Sequence, residues 1–442
     1  MNPDFPSPLP EARLCSGAPL GGRIKERPED FLVDEQPSYD PSGTGEHIYL
    51  GIQKRMVTHQ ELVAALCAHF RVGEAAIGCA GMKDRVAVAR QTVSIHVPGP
   101  DPRNLHLRHE RIEVLWARRH SNKLRPGHLK GNRFAIRVRG IPATAALEAH
   151  RRMSALAASG VPHLFGPQRF GYRSNNHLLG WHLLQRDWSA FLSELLGAGG
   201  AAFPERQRAR REAFDAGDLA TARGLCGGGD RADRSALGVL LAGRTPEQAV
   251  RSIGRGHLGF LVHSLQAAIF NRIVADRLER GLLAQLVEGD LAFRHANGSA
   301  FRVDAAELAD PLPPRGDIAG RLHRLEISPS GAMLGHKMTP TEGQVAQWET
   351  DAADAFSSSG ALIGSGHWGA AGERRPVRIP LRDPQTDGGV DEHGSFVRLA
   401  FDLPPGAFGT TVLREVFGDT LVDASALPAR DALPQEEADS AQ

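Results

Sequence analysis

The sequence predicts an α+β fold, and three observations support this. Segments with helical spacing of apolar residues and segments with strand-like alternation are mixed along the chain. They do not follow the regular strand–helix–strand order of a doubly wound parallel sheet. The chain has 442 residues, of which 41% are hydrophobic. That is enough for about two or three domains with full hydrophobic cores.

Three segments predict helices. Thr58 and Glu61 have the spacing of a capping box and precede a run of apolar residues at helical spacing. Thr339 and Glu342 have the same spacing, with a proline between them at the first helical position, so a second helix is predicted to start there. Residues 258–278 also carry apolar residues at helical spacing, and a glycine follows as a stop.

Strand-like alternation appears in two further segments. Residues 133–139 place Phe134, Ile136 and Val138 on one face and three arginines on the other. Residues 396–403 repeat the alternation and end in a Pro-Pro-Gly turn. Two stretches are predicted to be irregular: the proline-rich leader at residues 1–20, expected to be loose, and the glycine-rich residues 227–229.

Several classes of protein do not fit this sequence. Four cysteines without a C-x-x-C pair indicate a reducing compartment. The N-terminal residues lack the apolar core of a secretory signal, and no run approaches the roughly 18–20 apolar residues of a membrane span. Nineteen histidines occur without a metal-binding spacing, so no metal site is predicted. We therefore expect a cytoplasmic protein without a membrane partner.

The charges are segregated along the chain. The whole chain has a formal net charge of +1, from 52 Lys and Arg and 51 Asp and Glu. Residues 103–139, however, carry eleven Lys and Arg against two Glu. A solvated basic face is the ordinary explanation of such a run. Here the run continues into the predicted strand at residues 133–139, and a row of guanidiniums on a sheet face can follow a phosphate backbone.

We therefore expect a nucleic acid as the partner of this basic segment, and the charge alone does not separate RNA from DNA. The candidates for contact with the backbone are the basic residues nearest the predicted strand. They are Arg118, Arg119, Lys123, Arg125, Lys130 and Arg133.

The segment that carries the chemistry lies between a predicted helix and a predicted strand. Gly81 permits a tight turn, and Lys83, Asp84 and Arg85 follow with three consecutive charges. An acid between two bases has its ionised form favoured, as a nucleophile or general base requires. A surface turn in which Asp84 caps a helix or pairs locally explains the same three residues. The triplet alone does not decide between these readings.

Seven blocks of this sequence, in order, resemble motifs of the TruD family of tRNA pseudouridine synthases. One departure is the pair His163 and Leu164, where the family pattern has Asn-Tyr. The blocks are P-E-D-F-L-V-D-E (residues 28–35), G-E-H (45–47), G-M-K-D-R-V-A-V-A-R-Q (81–91), K-L-R-P-G-H-L-K-G-N-R-F (123–134), G-V-P-H-L-F-G-P-Q-R-F-G (160–171), E-R-R-P (373–376) and L-P-P-G-A-F-G-T-T-V-L-R-E (403–415).

The resemblance implies an activity and a set of site residues. Asp84 matches the family's essential aspartate, and the substrate would be uridine 13 of tRNA, without a metal or another cofactor. Phe134 would stack on the flipped uracil, and Asn132 would bond near the carboxylate. The remaining implied site residues are Phe31, at the active site, and Lys25 and Arg85, as candidate charged partners of Asp84.

The resemblance also implies the architecture. It is a pseudouridine-synthase-like catalytic core with a mixed, largely antiparallel sheet, interrupted by an inserted α+β domain. Residues 1–163 and 370–425 would form the core, and residues 164–369 the inserted domain. Residues 426–442 end an acidic stretch that begins at Asp423 and is predicted to be disordered. We expect a monomer.

Two alternative functions remain open at this point. One is a non-catalytic RNA-binding protein or RNA chaperone that uses the same basic groove. The other is a pseudouridine synthase that acts on a different RNA. The presence of Asp84, Phe31, Asn132 and Phe134 argues against the first alternative, because a chain without catalytic function would be expected to have lost the acid.

Overall fold

The computed structural model describes residues 5–99, 105, 107–309, 317–357 and 367–426. Contacts between Cα atoms divide the chain into two compact units. The first, the sheet unit, comprises Cys15–Ala158 and Pro380–Gln442. The second, the helical unit, comprises Met1–Leu14 and Ser159–Ile379. The predicted inserted domain, residues 164–369, falls within the helical unit, and its boundaries stay a prediction.

The described residues form strands in both units. In chain order the strands are β1 (Arg23–Ile24), β2 (Phe31–Pro37), β3 (His47–Arg55), β4 (Ile77–Cys79), β5 (Val88–His96), β6 (Ile112–His120), β7 (Leu129–Arg139), β8 (Val161–Pro162), β9 (Leu291–Arg294), β10 (Ala300–Arg302), β11 (Ile327–Met333), β12 (Glu373–Pro376), β13 (Arg378–Ile379), β14 (Arg382–Asp391), β15 (Gly394–Leu403) and β16 (Val422–Asp423).

The α-helices of the described residues lie mostly in the helical unit. In chain order they are α1 (His59–Phe70), α2 (Ala146–Ser159), α3 (Asn176–Gln185), α4 (Trp188–Leu196), α5 (Arg208–Asp215), α6 (Leu219–Gly224), α7 (Arg231–Leu241), α8 (Pro246–Ser252), α9 (Arg255–Glu279), α10 (Ala305–Ala309), α11 (Ile318–His323), α12 (Gly343–Asp354) and α13 (Gly409–Phe417).

The sheet unit is built on one ten-stranded sheet. Its main path has the order β14-β15-β7-β2-β5-β3-β6, with β1, β4 and β16 paired beside it. The β2–β5 and β1–β16 pairs are parallel, and the other pairs are antiparallel. The predicted α+β class with a mixed, largely antiparallel sheet is therefore confirmed. Strand β7, predicted from its alternation, lies between β15 and β2 and buries Phe134, Ile136 and Val138.

The helical unit packs around α9. Sixteen of its 25 residues are buried, and they form a core with apolar side chains from the neighbouring helices. A four-stranded antiparallel sheet of order β10-β9-β11-β12 and the β8–β13 pair complete this unit. By length and composition α9 could cross a membrane, which the search for apolar runs in the sequence did not anticipate. In the structure 83% of its most apolar stretch is buried inside the protein.

The two predicted capping boxes have different outcomes. Thr58 caps α1: its hydroxyl accepts from the Glu61 amide at 3.1 Å, and the Glu61 carboxylate accepts from the Thr58 amide at 2.7 Å. The box predicted at Thr339 is wrong, because α12 starts only at Gly343. There the Glu342 amide donates to the carbonyl of Gly289 at 3.1 Å, and that contact with another loop replaces the cap.

Both ends of the described chain are more tightly held than the sequence suggested. Residues 5–20 contain no helix or strand, as expected, but they are not loose, because Phe5 packs against His177 and Trp181 in the helical unit. Asp423 was assigned to the acidic stretch at the C-terminus, yet it belongs to β16 and pairs in register with Ile24. Of the tail predicted to be disordered, residues 426–442, Ala426 ends a short 3-10 helix and the remainder lies outside the described residues.

Candidate active site

Asp84 lies in the loop between β4 and β5, at the middle of the sheet unit. Its side chain is 34% exposed. Lys54 on β3 holds this loop in place. Its ammonium donates to the carbonyls of Val57, Lys83 and Asp84 at 2.6, 3.1 and 3.0 Å. Three hydrogen bonds to carbonyl oxygens hold the backbone, so the Asp84 carboxylate stays accessible on a rigid turn.

Lys25 is the charged partner of this carboxylate. Its Nζ lies 3.3 Å from Oδ2 of Asp84 and 3.4 Å from Oδ2 of Asp423. The Lys25 side chain is 3% exposed and sits 4.7 Å from the centre of the Phe31 ring, a cation–π contact. A buried ammonium shared by two carboxylates therefore fixes the position of Asp84.

Of the two candidate partners named from sequence, only Lys25 contacts Asp84. Arg85 is exposed, and no ion pair between it and Asp84 is found among the described residues.

A second network anchors Lys83, next to the aspartate. Its Nζ lies 2.8 Å from Oε2 of Glu35, and both side chains are at least 95% buried. The same ammonium donates to Oδ1 of Asn132 at 2.7 Å, and Oε1 of Glu35 accepts from the amide of Thr92 at 3.0 Å. Asn132, predicted to bond near the carboxylate, thus bonds to the residue beside Asp84. Strands β2, β5 and β7 are tied to the loop through these contacts.

The aromatic residues of the site lie deep in the sheet unit. Phe31 is 1% exposed and Phe134 is 6% exposed. Phe134 stacks on Phe401 with ring centres 5.4 Å apart and meets Phe31 edge-on at 6.4 Å. A Cβ added to Gly409, at the start of α13, would come within 3.0 Å of the Phe134 ring. Phe401 already covers one face of Phe134, and the stacking of uracil on this ring stays a prediction.

The basic residues predicted to contact RNA divide into two groups. Arg118, Arg125 and Lys130 are exposed. The other three have partners within the protein. Arg133 pairs with Asp402 at 3.0 Å, and Arg119 and Lys123 donate to main-chain carbonyls at 2.7 and 2.6 Å.

The expectation of an open arginine row on β7 is wrong for Arg139. Its side chain is 3% exposed and pairs with both Asp30 and Asp391. Arg103 and His106, in the basic run, lie outside the described residues.

An open pocket of about 590 Å³ lies beside the Lys83 network. Lys130, Arg133, Tyr39 and Glu35 are among its lining residues, and Asp84 is not. Glu35, which pairs with Lys83 of the Asp84 loop, is therefore shared between this pocket and the network.

Sequence reasoning missed three residues of this site. Lys54 was not singled out, although it fixes the Asp84 loop, and burial lowers its pKa to about 8. Asp423 was placed with the C-terminal acids, and Phe401 was seen only as part of an alternating strand. Residues that come together from distant elements form no local sequence pattern, so nothing in the sequence marked the role of these three in the site. Glu35, by contrast, lies within the motif at residues 28–35. In the described part of the chain no group of three His, Cys, Asp or Glu could hold a metal ion.

Comparison with known proteins places the chain in a family. A profile described as tRNA pseudouridine synthase D (TruD) matches residues 11–416. The tRNA pseudouridine synthase D of Geotalea daltonii is 39% identical over 404 residues, covering 90% of this chain and 96% of the relative. The protein of the same name from Geobacter sulfurreducens is 40% identical over 400 residues, covering 90% of this chain and 94% of the relative.

A solved structure shares the fold. The crystal structure of the putative tRNA pseudouridine synthase D from Methanosarcina mazei matches with a TM-score of 0.78 and 23% identity, covering 96% of this chain and 99% of that chain. The family resemblance of the motifs is thereby confirmed over nearly the whole length. The chain belongs to the TruD family of tRNA pseudouridine synthases.

Proposed function

We propose that this protein isomerises a uridine of tRNA to pseudouridine, with Asp84 as the catalytic carboxylate. The position we propose is uridine 13, on the strength of the family. The observation that carries the proposal is the accessible carboxylate of Asp84, held 3.3 Å from the buried ammonium of Lys25 on a loop fixed by Lys54. We further propose that the protein acts as a cytoplasmic monomer without a cofactor.

The reaction has three steps, and they set requirements for the protein. The bond between N1 of uracil and C1′ of ribose breaks, the freed base rotates, and a bond forms between C5 and C1′. The proton on C5 leaves for solvent, and N1 gains one. Asp84 either attacks the ribose or removes a proton from it while the base is detached, so it must be ionised and accessible. The loose base must also be held in place during its rotation.

The contacts of Lys25 support the carboxylate role. The Lys25 ammonium holds the Asp84 carboxylate in place through an ion pair, and burial on a rigid element keeps the Lys25 side chain itself fixed. Asp84 keeps a third of its surface exposed, whereas Lys25 and Glu35 are buried. Asp423, which shares the Lys25 ammonium, is comparably exposed at 31%, so it is the match to the family motif that favours Asp84 over Asp423 as the catalytic group.

The surroundings support a flipped base. A target base must leave its stack, at a cost of a few kcal/mol, before it can reach a protein side chain. Phe31 and Phe134 line the interior beside Lys25, and we propose that Phe134 stacks on the uracil while Asn132 keeps the loop in place. Exposed Arg118, Arg125 and Lys130 are proposed to contact the phosphate backbone.

The test is release of tritium from tRNA labelled at C5 of uridine. We expect the wild type to release tritium and Asp84→Ala to release none, with the product identified by nucleoside analysis at position 13. Asp84→Asn is the matched control, because it keeps the size of the side chain and removes only its charge. Release by Asp84→Ala at the wild-type rate would contradict the assignment of Asp84.

The alternatives give different results in the same assay. A non-catalytic RNA-binding protein or chaperone binds tRNA and releases no tritium from any RNA. A pseudouridine synthase for another RNA releases none from tRNA but does so from total cellular RNA labelled at C5.

A further inference from the structure

A stack of alternating phenylalanine rings and guanidinium groups lies in the helical unit. Arg169 sits between Phe260 and Phe165, with its Cζ 5.2 and 5.1 Å from the two ring centres. Arg375 contacts Phe165 at 4.3 Å and Phe270 at 5.5 Å. We call these five residues the arginine–phenylalanine ladder. Both guanidiniums share Phe165, so the two positive charges are close neighbours.

Rigid elements set the geometry of the ladder. Phe260 and Phe270 lie on α9, and Arg375 lies on β12, where it pairs in register with Gly331 of β11. Phe165 is 5% exposed and Phe270 is fully buried, whereas Phe260 at the other end is 37% exposed. The ladder therefore runs from the interior of the unit to its surface.

Within the described part of the chain, the ladder has no acid in direct ion-pair contact. Among the described residues no carboxylate lies within 4.0 Å of Arg169 or Arg375. Burial lowers the pKa of both arginines, to about 10 for Arg375; the negative charge of Glu373 partly offsets this lowering, and the positive charge of Arg169 adds to it. Two neighbouring cations out of contact with an anion are costly for a folded protein, so a bound anion would stabilise them.

The donors of the ladder are also largely unused. A guanidinium has five N–H donors. The Arg169 side chain donates to no described group, and Nε of Arg375 is buried without a partner. By contrast, the buried Arg378 donates to the carbonyls of Ser159 and Leu322 at 2.6 and 2.8 Å. Arg378 is thus a structural arginine, and the ladder pair is not.

His163 orients one of the two guanidiniums. Nη2 of Arg375 lies 2.5 Å from Nε2 of His163, and Nδ1 of His163 lies 3.1 Å from the carbonyl oxygen of Pro376. Since the arginine can only donate, Nε2 must accept, and Nδ1–H donates to the carbonyl. A neutral imidazole at the position where the family has asparagine therefore holds Arg375 through Nη2 and leaves Nη1 without a described partner.

We propose that Arg169 and Arg375 form a phosphate-binding site for the backbone of the tRNA substrate. Planar guanidiniums match the geometry of phosphate oxygens, and stacking on Phe165 keeps both planes fixed before binding. The inference rests on the proposed function in that it takes tRNA as the source of the phosphate. The alternative source of the same chemistry is free phosphate, and the experiment separates the two.

The experiment measures binding of an unmodified tRNA transcript to the full chain as a function of salt. Arg169→Gln and Arg375→Gln should each lower the steepness of log Kobs against log salt concentration by about 0.7–0.9 per lost phosphate. Each should also weaken binding by about tenfold at low salt. Arg375→Lys keeps the charge and should retain the wild-type slope. Arg244→Gln, an exposed arginine on the turn after α7, is the control and should change neither quantity.

Three outcomes would overturn the inference. Unchanged slopes in both glutamine variants mean that the ladder binds no RNA phosphate. An affinity loss with unchanged slope, accompanied by a lower Tm, assigns the ladder a structural role only. Binding of inorganic phosphate, measured by calorimetry against chloride at equal ionic strength and abolished in Arg375→Gln while the RNA slopes stay unchanged, assigns the site to free phosphate.

Failure of the proposed function gives a distinct result. If the wild type binds tRNA with a slope that depends on the ladder but releases no tritium, the ladder site stands and the catalytic proposal fails. If the wild type releases tritium and the slopes do not depend on the ladder, the catalytic proposal stands and the ladder site fails.

Discussion

Lys25 is the residue on which the geometry of the candidate active site depends. It is buried, adopts a left-handed backbone conformation with φ of 57°, and shares its ammonium between Asp84 and Asp423. A non-glycine residue in that conformation costs free energy, and it persists here because its neighbours fix it. The carboxylate that we propose as catalytic is therefore positioned by a strained residue at the N-terminal end of the sheet unit.

Replacing Lys25 should impair the positioning of Asp84 without impairing the binding of tRNA. We expect Lys25→Met to lower the single-turnover rate by about 10²-fold, because a misplaced catalytic group costs about that factor. The affinity for tRNA should stay within about twofold, because the side chain is too deeply buried to contact phosphates. Asp423→Asn is the matched variant: it leaves the contact between Lys25 and Asp84 and should cost less than tenfold. Equal rates for wild type and Lys25→Met would contradict this role.

Lys54 should give the reaction a dependence on alkaline pH. Burial lowers its pKa to about 8 from 10.5, and deprotonation removes one of three donors to the carbonyls that hold the Asp84 loop. We expect turnover to fall as pH rises through about 8. Lys54→Gln should be slower than wild type and show no such fall, since glutamine does not titrate. A pH–rate profile of both proteins measures this.

The stability of the protein should change in the opposite direction over the same range. Between about pH 8 and 10.5 the unfolded chain binds the Lys54 proton more readily than the folded protein does, because burial lowers the folded-state pKa. The contribution of Lys54 to the free energy of unfolding therefore rises with pH across this window. A fall in turnover without a fall in stability identifies loosening of the loop and excludes unfolding as its cause.

At the scale of elements, identical local patterns have different consequences. The box at Thr58 forms and starts α1, whose buried Leu62 and Leu66 cover β3 and β5. The similar pattern at Thr339 does not form a cap, and Thr339 is exposed. Its neighbour Thr341 donates instead to the Glu349 carboxylate at 2.8 Å, which is paired with the buried Arg374.

The two threonines provide a matched test. Thr58→Ala should lower the free energy of unfolding by about 1 kcal/mol, the usual cost of losing an N-cap. Thr339→Ala should leave it within about 0.5 kcal/mol, as exposed substitutions normally do. Urea denaturation followed by circular dichroism measures both. A comparable loss for Thr339→Ala would mean that the second box forms in solution.

At the scale of the whole molecule, near-neutral net charge conceals a local excess of positive charge. The basic residues at positions 103–139 are balanced by acids elsewhere in the sequence, so we expect any electrostatic attraction of RNA to be confined to a few surfaces. Some residues of that basic run bind groups of the protein itself: Arg139 pairs with Asp30, and Arg119 donates to the carbonyl of Val97.

Binding of tRNA should therefore weaken steeply with salt and should survive loss of the catalytic acid. We expect Asp84→Ala to bind an unmodified tRNA transcript at least as tightly as wild type, because a carboxylate repels phosphate. Affinities measured at several salt concentrations should fall linearly on logarithmic axes. A flat salt response would contradict the role of the basic surface.

Local sequence patterns were enough to predict several secondary-structure elements and the family of this protein. The periodicity of residues 258–278 and 133–139 was sufficient to identify α9 and β7, because helical and strand periodicities are properties of neighbouring residues. The ordered motifs identified the family, and through it they single out Asp84 as the proposed catalytic residue. These features required no knowledge of which distant segments meet.

Only the tertiary structure decided how the candidate site is held together. Lys54 comes from β3, 30 residues before Asp84 in the chain, and Asp423 comes from the far end of the chain to contact Lys25. The burial of Arg139 against Asp30 and Asp391 likewise depends on the pairing of β7 with β15 and on the packing at its end. Sequence patterns describe the face on which a side chain lies, whereas its charge partner is set by long-range packing, which no local pattern encodes.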